Sequence, residues 1–181
     1  SNTGVVAADV TGVGTARRDL AASGYGTDKA IFGYGATASK VSMTNLVNNS
    51  GVVASDVSGV GTARQSLAAS GYGGDKAIFG YGNTGSLTAI TNLVSNLGVV
   101  AADVTGVGTA RRELGSASYG GDKAIFAYGY TTGDVSMSNL VSNTGVVAAD
   151  VTGVGTARRG SRGSGYGGDK AIFGYGYGGS F

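Results

Sequence analysis

Apolar positions occur in short runs separated by turn residues along the whole chain. In one unit the runs are LAASGYG (20–26), KAIFGYG (29–35), VSMTNLV (41–47) and GVVASDVSG (51–59). Between them stand Gly, Asn, Asp, Ser and Thr, which supply positive φ or local side-chain hydrogen bonds. Runs this short are of strand length, and Val, Ile, Phe and Tyr fit a pleated surface. A helix is disfavoured because Gly recurs inside almost every run, each costing about 1 kcal/mol relative to Ala in a helix interior. Ala30, Phe32 and Tyr34 alternate with Ile31 and Gly33, so both faces of that run are apolar or small. Such a strand belongs in a sheet covered on both sides.

The same pattern returns every 47 residues. GVVAADVTGVGTAR begins at Gly4, Gly98 and Gly145, and as GVVASDVSGVGTAR at Gly51; DKAIF begins at Asp28, Asp75, Asp122 and Asp169. No insertion breaks the register, which points to internal duplication. Four strands in such a period mark a β-propeller blade, for which known periods run from about 40 to about 50 residues. The small-residue run LAASGYG suits the crowded innermost strand. The expected fold is therefore all-β: a β-propeller of four-stranded antiparallel blades, about four per chain with an incomplete last blade, residues 1–181 forming a single repeat domain. A parallel β-solenoid is the main competitor, but the unit contains no shorter coil repeat. A disordered Gly-rich array conflicts with the regular Val, Ile and Phe positions.

The unit resembles the kelch repeat. TARQSLAASGYGGDKAIFGYG (62–82) runs in the kelch order of an Arg before the inner strand, small residues, then an apolar strand ending in glycines. Arg64 stands at the place of the kelch Arg, and Gly80-Tyr81-Gly82 at that of the double glycine. The resemblance covers all four units. It departs in the outer half, which lacks the kelch Tyr and Trp. More loosely, the chain is similar to Gly-rich repeat arrays in structural proteins of tailed phages and environmental bacteria.

By this register the chain enters in an outer strand and leaves after a second strand. Four full units would need 188 residues and 181 are present; the shortfall matches VSMSNLV (135–141), a third strand. Three outcomes are open: a four-bladed ring with an imperfect last blade, two chains completing one larger ring, or a fragment of a longer array. Open sheet edges favour self-association. Ser161 and Arg162 replace Leu20 and Ala21 in the last unit, as fits a terminal or junction blade. The chain starts at Ser1, not Met, so processing, trimming or excision from a longer protein is expected.

Composition limits the chemistry. The 36 glycines, the absence of Cys, His, Pro and Trp, and a net charge of +2 define the chain. Without His or Cys there is no Ser-His-Asp or Cys-His machinery, and most zinc, iron and copper sites are excluded. No metal and no cofactor is expected. The charge is too balanced to argue for nucleic acid, and no apolar run is long enough for a membrane-spanning helix. Asp9, Asp56, Asp103 and Asp150, with Asp28, Asp75, Asp122 and Asp169, repeat with the units and read as turn and strand-end residues, not as a catalytic pair.

Binding candidates remain. Arg17, Arg64, Arg111 and Arg158 would ring one mouth and grip an acidic ligand, or hold blades together through carbonyls or Asp. Arg18, Arg112 and Arg159 beside them are expected to be exposed. Tyr25, Tyr72, Tyr119 and Tyr166, like Tyr34, Tyr81, Tyr128 and Tyr175, offer flat faces to sugar rings or pack between blades. Tyr130 and Tyr177 occur in two units only and are expected in an exposed loop. ATASK, NTGSL and YTTGD vary between units and share one face with RRD, RQS, RRE and RRG, whereas the opposite loops are nearly constant. The variable face, with Arg18, Lys40, Tyr130 and Asp134, is expected to recognise a partner. The function expected is a non-enzymatic propeller presenting repeated loops to a glycan or protein, extracellular or virion-associated. The alternative is a structural segment of a phage or cell-surface appendage that self-assembles.

Overall fold

A computed structural model describes residues 3–179, and these are all-β. Eleven strands form four antiparallel sheets. The first sheet holds β1 (Ala21–Tyr25), β2 (Lys29–Gly33) and β3 (Thr44–Val47), in that order. The second holds β4 (Ala68–Tyr72), β5 (Lys76–Gly80) and β6 (Thr91–Val94). The third holds β7 (Gly115–Tyr119), β8 (Lys123–Tyr130) and β9 (Asp134–Val141); the fourth has only β10 (Arg162–Tyr166) and β11 (Lys170–Gly174). Register is the same throughout, with Ser23 opposite Ile31 and Ser70 opposite Ile78.

Two features differ from the expected blade. The fourth run is not a continuous strand. It touches β3 through isolated bridges, Val47 to Val53 and Thr44 to Val57. Between those bridges two residues of β3 face three of the outer segment, a bulge that interrupts the ladder. The Asn45 side chain fills the gap, its amide donating to the Ala54 carbonyl at 3.1 Å. Second, the run KAIFGYG stops pairing early, because Tyr34 and Tyr81 take φ of 63°. That is the left-handed region, costly for a residue with a Cβ.

Consecutive sheets stack. β1 packs on β4, β4 on β7 and β7 on β10, so the small-residue run is innermost as expected. All four inner strands line one hollow of about 290 Å³, bordered by Leu20, Leu67, Leu114 and Ser161. Among the described residues no comparable packing joins β10 back to β1, and the sheets form an open succession. The core accordingly lies between neighbouring sheets and not at one centre. One cluster holds Ile31, Tyr34, Phe79 and Val94; the next holds Ile78, Tyr81, Phe126 and Val141. Ile172, on the last sheet of the stack, is 59% exposed where Ile31 and Ile78, each followed by a further sheet, are fully buried.

Glycine at the end of the second strand lets the next sheet approach most closely in the first two joints. A Cβ on Gly33 would lie 2.6 Å from Phe79 Cζ, and one on Gly80 would lie 2.9 Å from Phe126 Cζ. The third unit has Ala127 at this position, and there the Tyr–Phe centroids stand 5.8 Å apart, against 5.1 and 5.3 Å at the two glycine joints. Gly33→Ala is therefore expected to lower stability by about 1–3 kcal/mol through overpacking, exceeding the roughly 0.4–1 kcal/mol gained from a stiffer unfolded chain. Gly174→Ala, where a Cβ would meet nothing within 4 Å, is expected to leave stability unchanged or slightly raised. Urea denaturation of the two variants checks the pair.

Candidate functional site

The joint between sheets uses most of the repeated chemistry. Where GYG ends β2, the left-handed Tyr34 swings its ring across to the second unit. There it meets Phe79 edge-on, with centroids 5.1 Å apart, and lies under the Arg64 guanidinium at 4.1 Å. Its hydroxyl donates to the Val60 carbonyl at 3.1 Å. Tyr81 repeats this with Phe126, Arg111 and Val107, and Tyr128 with Phe173, Arg158 and Val154. Backbone bonds reinforce it: Gly35, Gly82 and Gly129 donate to the carbonyls of Arg64, Arg111 and Arg158.

Arg64 and Arg111 are completely buried. Each also donates within its own unit, Arg64 Nε to the Tyr81 carbonyl at 3.0 Å and Nη1 to the Thr62 carbonyl at 3.2 Å. Burial pulls both guanidinium groups below their usual pKa, while the stacked tyrosines act in the opposite sense. An arginine stays charged through such a shift. Burial also pushes the Tyr81 hydroxyl up to about 12, although Arg111 opposes it, so Tyr81 remains a donor at any working pH. Among the described residues no aromatic ring lies over Arg17; it lies 3.8 Å from Asp56. Arg64, Arg111 and Arg158 thus stack on a tyrosine of the preceding unit, whereas Arg17 pairs within its own unit.

The tyrosines of the inner strands divide by position. Tyr25 and Tyr72 are buried under the outer turns of the next sheet, where Gly98 and Gly145 lie against their rings. Tyr119 is half-buried, since the fourth sheet brings no such turn over it, and Tyr166, with no further sheet stacked on it among the described residues, is 53% exposed. The outer-strand aspartates are also structural. Asp56 accepts from Thr15 Oγ1 at 2.6 Å and Asn45 Nδ2 at 2.9 Å, and Asp103 and Asp150 repeat this with Thr62 and Asn92, and with Thr109 and Asn139. The Thr15 and Asn45 bonds hold the Asp56 carboxyl below its ordinary value; at Asp103 and Asp150 burial opposes the same bonds without overcoming them.

The variable loops do meet on one face. Arg18 pairs with Ala36 and Ala36 with Lys40; Arg112 pairs with Tyr130, and Arg159 with Tyr177. Arg18 is exposed, with Nη1 3.4 Å from the Thr37 carbonyl, and Lys40 is half-buried on the rim of a shallow groove. Four other candidates come together at the third and fourth units. Tyr130 lies between Arg112 at 5.2 Å and Arg159 at 4.8 Å. Arg159 bonds Asp134 at 3.1 Å, pairs with Glu113 at 3.4 Å and stacks on Tyr177 at 4.6 Å. Glu113 was not legible as a member: its counterparts are Asp19, Ser66 and Gly160, so no repeat marks it. The cluster balances two cations against two carboxylates and presents flat ring faces beside forked donors.

Among the described residues no group of three metal-ligating His, Cys, Asp or Glu side chains is clustered, and no helix is long and apolar enough to cross a membrane. No known family model matches the chain, and no curated protein matches it.

Two outcomes follow. Arg64→Ala is expected to cost about 2–4 kcal/mol, because it opens a void and leaves buried carbonyls unpaired. Arg18→Ala, on the exposed side of the same loop, is expected to change stability by less than about 0.5 kcal/mol. Chemical denaturation separates them. The depressed carboxyls of Asp56, Asp103 and Asp150 predict acid sensitivity. The unfolded chain takes up protons first, so their stabilisation is present above about pH 4 and is lost as pH falls through the lower folded values. Melting followed against pH checks this, and Asp103→Asn is expected to flatten the acid limb.

Proposed function

We propose that this chain is a non-enzymatic binding scaffold of the β-propeller type, kelch-like in the order of its blade elements, that presents the variable loop face to a glycan. The propeller reading draws on the shared hollow beneath the four inner strands and on the constant stacking of one sheet on the next. The observation that carries the binding reading is the cluster of Arg112, Tyr130, Asp134 and Arg159. It is unit-specific, stands on the variable face and spans the third and fourth units through contacts that the other joints lack. An aromatic ring flanked by forked donors and a carboxylate suits the apolar face and hydroxyl edge of a sugar ring. An extracellular or virion-associated setting goes with this reading, and nucleic acid and membrane insertion do not.

A glycan array probed with the whole chain tests it. Binding of one sugar class is expected, weakened about tenfold or more by Tyr130→Ala or Arg159→Ala, the order of loss typical of a removed anchor. Retention of the same binding by both variants moves the ligand off this cluster. Absence of binding to any sugar rejects the glycan reading.

A further inference from the structure

The two ends of the stack are complementary halves of a joint already formed three times inside the chain. At the tail, Tyr175 has φ 58° and is 92% exposed, and a Cβ on Gly174 would meet nothing within 4 Å. In the other units that tyrosine ring is covered by the Phe and Arg of the next unit, together with the preceding Gly33 or Gly80 in the first two. At the head, a groove of about 670 Å³ is lined by Val13, Arg17, Leu20, Phe32 and Asn45, among others. Val13, Arg17 and Phe32 are the first-unit counterparts of Val60, Arg64 and Phe79, the three residues that receive Tyr34. Phe32 is 38% exposed there, whereas Phe79 and Phe126 are fully buried. The head groove is therefore a tyrosine socket without its tyrosine, and the tail carries the tyrosine without its socket.

Backbone groups match in the same sense. Ser66, Glu113 and Gly160 donate in turn to the carbonyls of Asp19, Ser66 and Glu113. Gly26, Gly73 and Gly120 donate to the carbonyls of Asp75, Asp122 and Asp169. Continued by one unit, the first series would join Asp19 N–H to the Gly160 carbonyl, and the second Gly167 N–H to the Asp28 carbonyl. Exposed aromatic surface at both described ends, beside the backbone groups that would continue these two series, favours coverage by a chain that supplies their mates.

We propose that two copies of this chain associate head to tail, Tyr175 of one copy entering the groove of Val13, Arg17 and Phe32 on the other. The ring stacks under the Arg17 guanidinium, Phe32 closes over Gly174, and the hydroxyl donates to the Val13 carbonyl. Such a contact is heterologous, so it closes into a ring or extends as a filament. It goes beyond the ligand reading and does not depend on it.

The test is native mass against concentration for the whole chain and two blocked variants. Gly174→Leu fills the space above the tail glycine, which is empty within one copy, and Phe32→Asp places a charge in the head groove. The wild-type chain is expected to associate reversibly, and each variant alone to weaken association by about tenfold or more. An equimolar mixture of the two is expected to recover a pair that cannot grow, since one intact head still meets one intact tail. Tyr175→Ala, at an exposed residue, is expected to weaken association without changing the melting temperature of the single chain. A wild-type chain that stays single at every concentration overturns the proposal. So does association unaffected by the blocked variants, or a mixture that stays single.

Discussion

The structure depends on a tyrosine held in a backbone conformation that tyrosine does not favour. A left-handed residue with a Cβ costs about 1–2 kcal/mol, and the chain accepts this at Tyr34, Tyr81, Tyr128 and Tyr175. In the three joints the conformation throws the ring across to the next unit. The return is an edge-on aromatic pair, worth about 0.5–1.5 kcal/mol, and a desolvated cation–π contact worth up to about 2 kcal/mol. A hydroxyl–carbonyl bond and the burial of a phenylalanine add to it. The gains outweigh the strain, but only when a neighbouring unit is present to supply Phe and Arg.

That dependence explains why the Phe and Tyr of the joint are covered to different extents along the chain. Phe79 and Phe126 are sealed, Phe32 is partly exposed, and Tyr175 is almost fully so. The sequences around them are nearly identical; the neighbours are not. The same logic frees the variable face. Most of the repeated Arg and Tyr are taken up between sheets, and differences between units gather in the loops around Lys40, Leu87 and Asp134. Where those differences place Arg112, Tyr130 and Arg159 together, a polar aromatic surface forms without disturbing the stack.

Much of this was legible in the sequence. The period of 47 residues, the strand runs and the innermost place of the small-residue run follow from local propensity and repetition, which need no partner. The pairing of variable loops on one face followed from strand order alone. The role of Arg64 was open between a ligand grip and a bond across units, because sequence states a side chain's chemistry but not its neighbour. Only the tertiary arrangement decided that it is buried over Tyr34, that the fourth run bulges away from a full strand, and that Glu113 joins Arg159. Each of these turns on contacts between residues far apart in the chain, where packing geometry and desolvation, not propensity, set the outcome.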